Sequence, residues 1–178
     1  MNKNFETKRE AAAYYACNLG YSILPIHYIT KQNKCSCGNE ACNSKGKHPI
    51  GKLVPNGVKD ASKDPELILE WWNAYPEANI GIATGLISGI EVLDIDPRNN
   101  GFNTLEQIKS SINNFNSEHQ VKTGGNGLHL YFKYTGKKVN PKLLTGIDFQ
   151  TDGKYVIAPP SNHISGKNYE WQSGDDLS

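Results

Sequence analysis

The stretch GIEVLDIDPRNNG, Gly89–Gly101, runs from the most hydrophobic segment of the chain into two aspartates one residue apart, then into a turn rich in Pro, Asn and Gly. Carboxylates are poor strand residues and costly to bury, so Asp94 and Asp96 at the end of such a run need a reason. Residues i and i+2 of a strand share a face. Asp94 and Asp96 therefore point the same way, with Ile95 toward the opposite side. Two carboxylates a strand-step apart repel unless a cation sits between them, and hard oxygen donors suit Mg²⁺ or Mn²⁺. Read alone, the pair serves equally well as a strand end whose aspartates cap the following turn or helix.

Outward from this strand, the pattern predicts a helix over Phe5–Leu19 closed by Gly20, and a buried strand over Tyr21–His27 edged by Pro25. A second helix begins with Asp64 as N-cap and Pro65 at the first helical position, and stops before Pro76. ANIGIATG and GIEVLDID read as two strands joined around Gly85–Gly89. A helix from Phe102 to about Ile112 follows the acids, and the remainder is strand-rich: HQVKT, GLHLYFKY, TGIDFQ, KYVIAPP and NYEWQ. With no internal repeat and no linker, this is one α+β domain, residues 1–178, with an antiparallel or mixed sheet flanked by helices.

Composition sets outer limits. The chain has 178 residues, 37% hydrophobic and 21% charged with net charge +1, which is globular and neutral overall, so contact with a polyanion must come from local clusters. There is no apolar run long enough to span a membrane, and MNKNFETKRE lacks the apolar core of a secretory signal. The expectation is a cytoplasmic protein without membrane contact.

Two further strands carry chemistry. In GLHLYFKY, Leu128, Leu130, Phe132 and Tyr134 alternate with Gly127, His129, Tyr131 and Lys133, giving a core face and a polar face that holds His129. The preceding Lys122–Gly127 turn, which includes Gly124 and Gly125, offers backbone N–H groups suited to an anion. In TGIDFQ, Asp148 alone interrupts an apolar strand. Three carboxylates with a basic group for phosphates form the usual equipment of two-metal nucleotidyl transfer.

On these residues the chain resembles the bifunctional primase-polymerase (prim-pol) N-terminal domain of the archaeo-eukaryotic primase superfamily. The resemblance spans GKHP (Gly46–Pro49), the Trp71–Gly85 block, VLDID (Val92–Asp96), TGGNGLHLYF (Thr123–Phe132), GID (Gly146–Asp148) and YVIAPPSNHISGKNYEW (Tyr155–Trp171). It implies an RRM-like sheet against a second α/β unit with a catalytic cleft between them. It further implies that Asp94, Asp96 and Asp148 bind two Mg²⁺ or Mn²⁺ ions and that His129 contacts the triphosphate. Gly125 and Gly127 fall in the same nucleotide-binding region, and Ser161 and His163 are further candidates for it. Gly127 stands where the family often has Ser. DNA template and primer, with NTP or dNTP, are the implied partners, in a longer plasmid- or phage-type replication protein that includes a helicase. The polar end Gly174–Ser178 fits a chain that continues.

Cys35, Cys37, Cys42 and His48 offer three thiolates and an imidazole, enough for a closed tetrahedral Zn²⁺ site that would order an otherwise structureless polar loop over about residues 31–48. Lying far from the acids in sequence, this zinc is expected to be structural and outside the active site. Lys34, Lys45 and Lys47 surround it, and Lys137, Lys138 and Lys142 form a second basic cluster; each group is either a contact for a phosphate backbone or solvated surface. Cys17, Trp71 and Trp72 are expected in the core. The competing functions are a zinc-organised, non-catalytic nucleic-acid-binding module and a DxD metal-dependent phosphatase or glycosyltransferase. Against the phosphatase stand Pro97 and Arg98, which follow the acids where a small residue and then Thr or Val belong.

Overall fold

Local chemistry fixes where the helices begin. Thr7 accepts a hydrogen bond from the Glu10 amide at 3.1 Å and opens α1, Lys8–Cys17. Asp64 accepts from the Glu66 amide at 3.0 Å and, with Pro65 at the first helical position, opens α2, Pro65–Ala74. A 3₁₀ turn, Pro97–Asn99, capped by Asp96, leads into α3, Gly101–Ser111. The strands are β1 (Ile23–Ile26), β2 (Asn79–Ala83), β3 (Ile90–Ile95), β4 (His119–Lys122), β5 (Leu128–Lys133), β6 (Ile147–Gln150), β7 (Tyr155–Ala158) and β8 (Glu170–Trp171). The computed structural model describes residues 5–113, 115, 117, 119–139 and 144–172. Lys142 and the segment 174–178 lie outside the described residues.

The class is α+β, and every strand pairing among the described residues is antiparallel. A three-stranded sheet has the order β1-β2-β7 and a five-stranded sheet the order β6-β3-β5-β4-β8. The turn at Gly85–Gly89 therefore carries the chain from one sheet to the other, with a single Gly85–Ile90 bridge between its ends. Pro25, which cannot donate to a ladder, sits on the edge strand β1.

The larger sheet is covered on both faces. Leu93, Ile95, Leu130 and Ile147 meet Leu105 of α3. Val92, Val121 and Tyr131 join the main core with Tyr15, Trp71 and Trp72 of the helices over the smaller sheet. The face of β5 expected to be polar is thus buried: His129 is 4% exposed and Tyr131 1%. Trp71 and Trp72 are core residues as expected, and Trp72 Nε1 donates to the Ala78 carbonyl at 3.1 Å. Truncating a tryptophan so placed costs about 3–5 kcal/mol. Cys17, expected in the core, is exposed. The inner stripe of α1 is Ala11, Ala12, Tyr15 and Ala16, and Cys17 falls one position off it. No helix among the described residues is long and apolar enough to cross a membrane.

Candidate active site and metal loop

β3 lies between β6 and β5, and its register sets the site. Asp94 stands opposite Asp148 of β6 and opposite His129 of β5. His129 in turn faces Val121 of β4, which faces Trp171 of β8. Directly opposed residues share a face, so Asp148, Asp94, His129, Val121 and Trp171 form one row that passes from solvent into the core. Asp148 is exposed, Asp94 half-buried and His129 buried. Nε2 of His129 is 3.5 Å from Oδ1 of Asp94, and its Nδ1 is buried without a hydrogen-bond partner among the described residues. Burial holds the imidazole below its ordinary pKa; the Asp94 charge opposes this and Lys47 adds to it.

Asp96 caps the turn that follows it. Its Oδ1 accepts from the Arg98 amide at 2.9 Å and from Arg98 Nε at 3.0 Å. Its Oδ2 accepts from Arg98 Nη2 at 2.9 Å and Asn99 Nδ2 at 3.0 Å. The Arg98 hydrogen bonds hold the carboxyl below the usual carboxylate range. Asp96 therefore caps the 3₁₀ turn and also lines a cleft of about 470 Å³ that takes in Asp94, Asp148, His129 and Lys47. The donor set suits hard cations, and the guanidinium on Asp96 stands where positive charge is wanted.

Two glycines set distances here. At Gly127 a Cβ would sit 2.5 Å from the Ile95 carbonyl oxygen and 3.0 Å from Thr123 Oγ1, so no side chain fits. The Thr123 hydroxyl instead accepts from the Gly127 amide at 2.9 Å. Gly146 has φ of 71° and abuts the Asn99 carbonyl and the Gly101 amide. Its own carbonyl accepts from the Asp96 amide at 2.8 Å.

The glycine-rich turn forms a second wall. His163 lies against Gly124, Ser165 Oγ donates to the Gly124 carbonyl at 2.6 Å, and Lys167 Nζ donates to Asn126 Oδ1 at 2.7 Å. Burial first, then Lys47 and Arg98, keep His163 below its ordinary pKa. Gly125, Gly127 and His163 all line the cleft, and Ser161 does not. Ser161 is fully buried, with its hydroxyl accepting from the Ile80 amide at 2.8 Å. It joins the 161 turn to β2.

The cysteine loop is drawn together as a donor set. Cys35, Cys37, Cys42 and His48 offer ligand atoms within 4.8 Å of one another, the one such cluster of three or more among the described residues. Cys35 Sγ and Cys42 Sγ lie 3.6 and 3.5 Å from His48 Nε2. A tetrahedral zinc with ordinary bond lengths places sulfur and nitrogen about 3.6 Å apart, so the residues fit that ion. The His27 ring lies 4.5 Å from the His48 ring between centroids, tilted by 40°, and His27 Nδ1 is 2.8 Å from Ser36 Oγ.

Compared with known families, residues 12–178 match the bifunctional DNA primase/polymerase N-terminal family, Prim-Pol. The chain belongs to that family. No curated protein matches the chain at a significant level. A prim-pol domain is a DNA primase/polymerase module, whose ligands are DNA and nucleotides.

Within this prim-pol domain, Asp94, Asp96, Asp148, His129, Gly125, Gly127 and His163 come together in one cleft, while the four metal-loop residues gather separately. Arg98 and Thr123 were not among the expected site residues, and Lys47 was expected beside the zinc loop, as a contact for a phosphate backbone or as solvated surface. The Asp96–Arg98 pair had a signal in the Asp-Pro-Arg order, which puts a guanidinium at the first turn after a capping acid. Thr123 had none beyond its place before Gly124, because its contact depends on how the turn closes.

Proposed function

We propose that this domain performs template-directed nucleotidyl transfer, as DNA primase, DNA polymerase or both, by a two-metal mechanism, as one catalytic domain of a longer plasmid- or phage-type replication protein that works with a helicase. The observation that carries the reading is the cross-strand row Asp148–Asp94–His129 opening into the cleft beside Asp96. In this reading Asp94, Asp96 and Asp148 hold two divalent ions, Mg²⁺ or Mn²⁺. Such ions, when bound, make the attacking hydroxyl more acidic and neutralise charge on the triphosphate. The primer 3′-hydroxyl gives up its proton to solvent, its oxygen attacks the α-phosphorus, the bond to the bridging β-phosphate oxygen breaks, and pyrophosphate leaves. His129, neutral near pH 7 because it is buried, gives a ring N–H to a phosphate oxygen.

Strand order supports the RRM-like part of the reading: β3-α3-β4-β5-β6 arranged as β6-β3-β5-β4 is the strand order of an RRM-type sheet, with α3 behind it. The test is incorporation of labelled nucleotide on primed and unprimed templates, with NTP and dNTP, with and without Mn²⁺. Metal-dependent extension that Asp94→Ala abolishes is expected. No incorporation under any of these conditions, or near-native rates in Asp94→Ala, would overturn the proposal.

A further inference from the structure

Lys47 belongs to two sites at once. It precedes His48, a metal-loop donor, and it lines the cleft with Asp94, His129 and Asp148. Its backbone is fixed from several directions. The Lys47 amide donates to the Ser44 carbonyl at 3.0 Å, and the Lys47 carbonyl accepts from the Tyr155 hydroxyl at 2.9 Å. On one side, the Gly46 amide donates to Cys35 Sγ at 3.5 Å and the Gly46 carbonyl accepts from Asn79 Nδ2 at 3.0 Å. On the other, the His48 carbonyl accepts from the His27 amide at 2.8 Å. The Lys47 main chain therefore lies between the cysteine cluster and β2, and the ligand set determines where the side chain starts.

The other two cations of this region are engaged: Arg98 holds Asp96, and Lys167 donates to Asn126. No hydrogen bond or ion pair to the Lys47 ammonium group is found among the described residues. Its field nonetheless reaches His129 and His163 on two different walls of the cleft. A lysine that lines the same cleft as three carboxylates and two histidines is suited to a polyanion that bridges metal ions and protein. A free carboxylate ligand would instead be repelled by the acids.

We propose that Lys47 is a triphosphate-binding residue delivered into the cleft by the metal loop, so that metal in the cysteine site sets nucleotide affinity. The proposal rests on the nucleotidyl-transfer reading and makes the loop part of the active site. Zinc at Cys35, Cys37, Cys42 and His48 holds residues 46–48 in place; without it, Lys47 loses its fixed starting point while Asp94, Asp148 and His129 keep theirs on the sheet.

The experiment measures binding, not turnover. Calorimetric titration with inorganic tripolyphosphate and with the α,β-imido analogue of dATP, both with Ca²⁺ present, is run on wild type, Lys47→Ala, Lys47→Arg and zinc-depleted protein. Lys47→Ala is expected to weaken both probes by about tenfold or more while keeping one zinc per chain, with Lys47→Arg recovering most of the loss. Zinc-depleted protein should show a similar loss, reversed by zinc, and should be insensitive to the further change Lys47→Ala. Circular dichroism confirms that the depleted protein is folded, and Cys37→Ser provides a second route to the metal-free loop. Wild-type affinity in Lys47→Ala overturns the inference, as do losses that add in the doubly altered protein. Wild-type protein that binds neither probe counts against nucleotidyl transfer itself, and the inference falls with it.

Discussion

Arg98 grips both carboxylate oxygens of Asp96, Nε to Oδ1 at 3.0 Å and Nη2 to Oδ2 at 2.9 Å. A metal ion reaching Asp96 must displace that guanidinium, and removing it also lowers the positive charge near Asp94. Arg98→Ala should therefore bind Mn²⁺ severalfold more tightly in the absence of nucleotide. Electron paramagnetic resonance of free Mn²⁺ measures this directly, and unchanged or weaker binding would remove Arg98 from the account of the metal site.

Asp94 of β3 and Asp96 just beyond it should differ in what they do for stability. Asp94 lies directly opposite a like charge, Asp148, an arrangement that costs about 0.2–1 kcal/mol. Asp96 caps the following turn, and losing such a cap costs about 1 kcal/mol. Asp94→Asn is expected to unfold at slightly higher urea and Asp96→Ala at lower urea, with nucleotide incorporation lost in both. Equal shifts in the same direction would mean that the carboxylates have no such separate roles.

Gly127 should tolerate no side chain. The missing space lies against the backbone carbonyl of Ile95, which cannot move without pulling on the Asp94–Asp96 strand end. Gly127→Ala is expected to cost about 1–3 kcal/mol and to reduce nucleotide incorporation. Gly153, whose surroundings are open, has the same residue type but φ of 74°, so it serves only as a control for backbone strain without steric contact. If Gly127→Ala matched wild type in both stability and incorporation, the close approach would be of no consequence.

Away from the site, burial lowers the Lys8 pKa to about 8, with Glu77 opposing. Its ammonium group donates to the Glu77 carbonyl at 2.7 Å and Asn79 Oδ1 at 3.2 Å, over the Tyr28 ring. Because the folded pKa lies below the unfolded value of 10.5, the unfolded chain holds more protons between pH 8 and 10.5, and stability from this group rises with pH across that window. Urea unfolding at pH 7.5 and 9.5 should show that Lys8→Met lacks this rise. The same pH dependence in wild type and variant would assign it elsewhere.

Much of the site was readable from pattern alone, because a two-residue period fixes which side chains share a face. Asp94, Asp96 and the helix start at Asp64 follow from spacing and cap chemistry. The polar face assigned to β5 was misread, since alternation shows that two faces differ but not what covers them. His129 is buried beside the Tyr131 and Tyr169 rings, 6.5 and 5.9 Å away between centroids. Ser161 and His163 both entered through the resemblance; His163 lines the cleft, while the Ser161 hydroxyl is buried and accepts from the Ile80 amide. Lys47 is the instructive case: it lies far from the acids along the chain, and the fold brings it into the cleft they line.

Gly146 determines more than its own turn. A strand that slips by two residues keeps every side chain on its proper face, so hydrophobic patterning alone cannot reject such a shift. In β6 a slip of that size would put Gly146 or Gln150 opposite Asp94 in place of Asp148. The contact of Gly146 with the Asn99 carbonyl and the Gly101 amide, together with its bond to the Asp96 amide, allows only one of these alignments. The separation of the two acids is thus set by a residue with no side chain, and substitutions at position 146 would misalign the pair even with both carboxylates intact.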